Sequence, residues 1–122
     1  MPSPADALSK LREIIFALPE TSEKLSHGAP TFWGGKKTFA NFHDSHHGDG
    51  RVAVWFKAAP GAQAALVEAD PERFFVPPYV GPSGWVGLRL EGEVDWKEVR
   101  SLLLGGYRMV APKRALKLLD EA

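Results

Sequence analysis

Cysteine is absent from the sequence, which excludes disulfide staples, a thiolate nucleophile and thiolate metal ligands together. Small secreted domains commonly depend on such staples, so their absence points to the cytoplasm. Long apolar runs are missing too: no stretch approaches the roughly 20 residues that cross a bilayer. Lys10, Arg12 and Glu13 interrupt the opening MPSPADALSKLREIIFALPE, which lacks the basic start and unbroken apolar run of a signal peptide. No membrane association is expected. Neither sign of charge is in excess, since 15 Lys and Arg balance 15 Asp and Glu. The chain therefore lacks the basic surplus of strong non-specific nucleic-acid binders. Internal repeats, low-complexity tracts and long linkers are also wanting, which leaves one domain over residues 1–122.

What is present suits a folded core: 44% of the residues are hydrophobic and 11% aromatic, enough apolar surface for a domain of this length. Ser3 followed by Pro4 reads as a helix start. Leu8, Leu11, Ile15 and Leu18 recur at helical spacing until Pro19 ends the helix. The segments Ala29–Trp33 and Lys37–His43 flank Gly34-Gly35-Lys36, a hairpin signal. The polar loop Asp44–Gly50 leads into RVAVWFK, where Val52, Val54 and Phe56 face one way and Ala53, Trp55 and Lys57 the other. Pro60-Gly61 opens a short helix that Asp70-Pro71 closes. Trp85–Leu90 reads as a strand with Val86, Leu88 and Leu90 toward the core. Asp95 and Glu98 have the spacing of a capping box for a helix expected to end near Gly105-Gly106. A last helix opens at Pro112 and presents Ala115, Leu116, Leu118 and Leu119 inward. This order predicts an α+β domain: an antiparallel sheet of hairpins, an N-terminal helix, a short inserted helix and two C-terminal helices.

These residues resemble the MmcQ/YjbR family of small bacterial proteins. The matching pieces are His27-Gly28-Ala29-Pro30-Thr31-Phe32, Lys37-Thr38-Phe39-Ala40, Pro78-Tyr79-Val80-Gly81 running into Gly84-Trp85-Val86, Asp95-Trp96, Tyr107-Arg108 and Ala111-Pro112-Lys113. The resemblance implies a double-wing α+β fold related to the frataxin-like (CyaY-like) arrangement. It also implies DNA binding, the label commonly given to members. Two positions depart from the pattern: Gly106 stands where the family often has serine before the tyrosine, and the loop 44–50 is unusually rich in histidine.

No catalytic constellation can be assembled, and a non-enzymatic binding domain without a cofactor is expected. Gly81-Pro82-Ser83-Gly84 lacks the second glycine and the following helix of a nucleophile elbow. Gly35-Lys36-Lys37 lacks the hydroxyl residue and first glycine of a phosphate loop. His43, His46 and His47, with Asp44 and Asp49, are of the ligand types that suit zinc or nickel. A solvated turn loop is the preferred reading there, and no metal is expected. If DNA is the partner, the phosphate contacts fall to Lys36, Lys37 and Arg51 around the hairpins and to Arg108, Lys113 and Arg114 near the C-terminus. The competing reading is a protein or small-ligand module using Tyr79, Trp85 and Tyr107, and an uncharacterised enzyme is a third. Trp33, Trp55 and Trp85 are expected on the sheet face opposite the core, covered by a helix.

Overall fold

A complete capping box starts helix α1 (Pro4–Phe16) in the computed structural model, which describes residues 3–121. The Ser3 hydroxyl accepts from the Asp6 N–H, and the Asp6 carboxylate accepts from the Ser3 N–H, each at 3.1 Å. Donors left open at the helix start are thereby satisfied. Ala7, Leu11 and Ile15 form the buried stripe.

Six antiparallel strands follow: β1 (Thr21–Ser26), β2 (Ala29–Gly34), β3 (Lys37–Asp44), β4 (Val52–Phe56), β5 (Phe74–Phe75) and β6 (Val86–Arg89). They lie in the order β1-β2-β3-β4-β6-β5. Helix α2 (Ala62–Ala69) interrupts the meander after β4. Because β6 rather than β5 pairs with β4, the chain reaches the sheet edge first and returns through residues 76–85. Strands β1 and β5 were not expected. TSEKLS has no apolar alternation, because β1 is an edge strand with only half-buried and exposed positions. β5 is two residues long.

Helix α3 (Trp96–Val110) begins at Asp95, whose carboxylate accepts from the N–H groups of Lys97 and Glu98. Glu98 does not close the box. It accepts instead from Arg73 at 2.5 Å, and Arg73 also reaches Asp70. The helix does not end at Gly105-Gly106 but runs to Val110. Gly106 is a packing position: a Cβ there would lie 2.5 Å from the carbonyl oxygen of Lys57. Helix α4 (Lys113–Glu121) buries Ala115, while Leu118, expected inside, is exposed.

All four helices contribute to one core on one face of the sheet. Phe32, Phe42, Val54, Phe56, Val86 and Leu88 meet Leu11, Ile15, Val99, Leu103 and Tyr107 there. Each fully buried large side chain contributes about 1.5–3 kcal/mol. The opposite face holds a second, smaller cluster of Ala53, Trp55 and Trp85, with Phe75 and Val80 packed on it and no helical residue among its members.

Candidate functional site

Strand register builds the helix-free face. Thr31 pairs with Asn41, Asn41 with Trp55, Trp55 with Gly87, and Gly87 with Phe75. Partners across a sheet point the same way, so these five form one row over five strands. Gly87 lets the Phe75 ring lie flat across β6, since a Cβ there would sit 2.4 Å from that ring. Arg51 covers Phe75, its guanidinium carbon 4.2 Å from the ring centre.

The connector 76–85 walls the row on one side. Its 3₁₀ turn (Gly81–Ser83) is held by the side-chain amide of Gln63, on α2, which donates to the carbonyls of Gly81 and Trp85 at 2.8 and 2.7 Å. Tyr79 stands on this wall with a left-handed backbone (φ 66°) and is 76% exposed. Side chains with a Cβ adopt that conformation at a cost. Trp85 is only 6% exposed and Trp55 only 3%.

The β3–β4 loop walls the other side. Ser45 (φ 59°) and His47 (φ 48°) take left-handed conformations. The Ser45 hydroxyl accepts from the Gly50 N–H, and the Asp49 carboxylate from the Arg51 N–H. The loop thus turns back over the sheet. His43 stacks on Trp55 with ring centres 3.6 Å apart, and His46 meets both rings edge-on at 5.1 and 5.0 Å. A ring nitrogen of His43 (Nε2) lies 2.9 Å from Asn41 Oδ1. Burial, with the nearby His46 second, pushes the His43 pKa down to about 4, so its imidazole is neutral at physiological pH.

Between these walls lies a cleft of about 660 Å³. Its aromatic part is Trp55, Trp85, Tyr79, His43 and His46; its polar part is Ser26, Thr31, Thr38 and Asn41. His27 and His47 complete it with Val80, so all four histidines of the chain line one cavity. Among the described residues no Lys, Arg, Asp or Glu lines it, though Lys24 continues the row beyond Thr31 at the sheet edge.

The YjbR family model matches residues 16–109, most of the chain. This protein belongs to the YjbR family. The crystal structure of a Deinococcus radiodurans protein with a DUF419 domain superposes on this YjbR chain with a TM-score of 0.74 and 21% sequence identity, covering 98% of this chain and 92% of that one. That likeness extends to the fold, and it agrees with the α+β arrangement expected from the sequence. No curated protein matches.

The YjbR fold separates the residues proposed from sequence. Tyr79 and Trp85 line the cleft, but Tyr107 does not. Tyr107 lies on the far side of the sheet, fully buried, edge-on to Phe39, and its hydroxyl donates to the carbonyl of Pro19. Following Val99 and Leu103 at four-residue steps, it belongs to the buried stripe of α3. Trp55 and Trp85 share the face opposite the core as expected, yet the connector and the histidine loop cover them, not a helix. His43 and His46 pack on Trp55 and His47 touches His46, while the loop residues 44–50 other than His46 are exposed, as expected of a solvated turn. Among the described residues no three His, Asp or Glu converge as a metal site.

The six proposed phosphate contacts divide between the two ends of the sheet. Lys36 and Lys37 sit exposed on the β2–β3 turn, where Gly35 packs against Pro112 and so brings Lys113 and Arg114 alongside. Arg114 is engaged in a bidentate pair with Glu20 at 2.6 and 2.7 Å. Arg108 pairs with Asp120 at 3.0 Å. Arg51 lies at the other end of β3 and β4, on Phe75. No helix among the described residues is long and apolar enough to cross a membrane.

Proposed function

We propose that this YjbR domain is a non-enzymatic ligand-binding module whose site is the cleft over Trp55. The observation behind this reading is the cleft itself: a concave, aromatic-lined space of about 660 Å³ with a few polar groups converging on it. Its size and mixed lining are those of small-molecule sites. The cysteine-free composition supports a reducing compartment, the cytoplasm. Titration of isotopically labelled protein with aromatic fragments (indole, quinoline, adenine) tests the reading. Amide and side-chain resonances of Asn41, Trp55 and Trp85 are expected to shift together. Fragments that bind only elsewhere, or nowhere, overturn it.

A second reading, DNA binding, is favoured by one feature, the gathering of Lys36, Lys37, Lys113 and Arg114 at the β2–β3 end. Phosphate contacts there would give salt-dependent affinity with no sequence preference. A fluorescent duplex is then expected to bind at low salt, and Lys36→Glu with Lys37→Glu to reduce the salt slope by about two. A duplex that stays free at low salt, or an unchanged slope, excludes it.

A further inference from the structure

Resting on the cleft reading, we propose that the ligand is an uncharged, planar, nitrogen-containing ring system of nucleobase or nucleoside size, taken without a phosphate. The charge of the lining decides between classes. A phosphate or carboxylate entering this cavity loses water and finds no Lys or Arg in its lining. The cations on this face are turned to rings outside it, Lys24 to Trp33 and Arg51 to Phe75. An ammonium finds no Asp or Glu in the lining. His43, whose pKa burial pushes down to about 4, adds no charge at physiological pH. A ligand without charge meets none of these costs.

Shape and polarity narrow the class further. The apolar walls are rings: the stacked pair of Trp55 and His43, the edge of His46, and Tyr79 5.9 Å from His46. Rings of this kind accept a flat partner face-on or edge-on. The polar groups sit on the sheet between these walls. Neutral His43 donating from Nε2 engages Asn41 Oδ1, which leaves the amide hydrogens of Asn41 for an acceptor such as a ring nitrogen or exocyclic oxygen. Thr31 already donates its hydroxyl to the Ala29 carbonyl, so it faces the cleft as an acceptor. Thr38 and Ser26 can serve either way. Donors and acceptors at the edge of a flat apolar body are what a heterocyclic base presents.

The test uses the intact chain at pH 8 and follows binding by the resonances of Trp55, Trp85 and Asn41. The probes are adenine, adenosine, adenosine monophosphate, indole and cyclohexylmethanol. Adenine or adenosine is expected to bind at least tenfold tighter than the monophosphate and than cyclohexylmethanol. Asn41→Leu is expected to weaken adenine at least tenfold while leaving indole within a factor of three. The monophosphate or the aliphatic alcohol binding as well as adenosine overturns the proposed class and leaves the cleft as a site. Indole binding without adenine or adenosine has the same result. Failure of every probe, indole included, overturns the cleft reading and this inference together.

Discussion

Gly106→Val is expected to destabilise the domain by about 3 kcal/mol, the upper range for overpacking a fixed site, and Gly105→Ala to stabilise it by about 0.5–1 kcal/mol. The two glycines are neighbours on α3 and differ only in what faces them. Nothing lies within 4 Å of a Cβ built on Gly105, so alanine there reduces the freedom of the unfolded chain without a clash. A Cβ on Gly106 meets the Lys57 carbonyl oxygen at 2.5 Å. That oxygen is backbone, just beyond β4, and cannot rotate away, so the helix must lift from the sheet. Lifting α3 loosens Val99, Leu103 and Tyr107, which are buried beneath it. Urea denaturation of the two variants beside the parent measures both effects. A Gly106→Val variant as stable as the parent would show that α3 has room to move. A serine at 106 needs the helix farther from Lys57 than it stands here.

Gly105-Gly106 also shows where reading from sequence stopped. A glycine pair after an apolar stretch has the form of a helix end, and only the tertiary contact with Lys57 reveals a close approach instead. Ending the helix there takes Tyr107 out of the stripe of Val99 and Leu103, to which it belongs in the fold. Elements with strong periodicity were legible: the stripe of α1, the alternation of Val52, Val54 and Phe56, and that of Val86, Leu88 and Leu90. β1 was not, because an edge strand with little to bury has no apolar rhythm to display.

The candidate site was half legible for a similar reason. Alternation alone puts Trp55 and Trp85 on the face away from Val54 and Val86, and Tyr79 lies six residues before Trp85 in the piece Pro78-Tyr79-Val80-Gly81. What covers that face depends on strand order. Only when β6 inserts between β4 and β5 does the connector 76–85 have to pass over the sheet, pinned by Gln63 from α2. The return of the histidine loop rests on left-handed Ser45 and His47, conformations that neither residue type announces. The histidines suggested metal because imidazole is a ligand. His43 stacks on Trp55 and His46 meets it edge-on, which makes these two part of an aromatic wall.

That wall should make stability depend on pH between about 6.5 and about 4, and His43 is the cause. Its pKa falls from the ordinary 6.5 to about 4 in the folded chain, so across this interval the unfolded chain holds a proton at residue 43 that the folded chain does not. Stability is complete above pH 6.5 and declines as pH falls toward 4. Below about 4 both states are protonated and the loss levels off. Fully expressed, the interval corresponds to about 3 kcal/mol, reduced by whatever water reaches the ring from the cleft. His46 deepens the effect and Asp49 opposes it. The paired carboxylates with lowered pKa values, Asp6, Glu20 and Asp70, also lose stability in acid, but mostly below pH 4.5, where an unfolded carboxyl takes up its proton. Histidine and carboxyl contributions therefore separate along the pH axis. His43→Phe keeps a ring against Trp55 and removes the titrating group. Urea denaturation at pH 7, 6, 5 and 4.5 is expected to show the parent losing stability steadily while this variant stays nearly level over the same range. Equal slopes for the two proteins would mean that His43 is hydrated in the fold, and the stacked wall of the cleft would then be open to water.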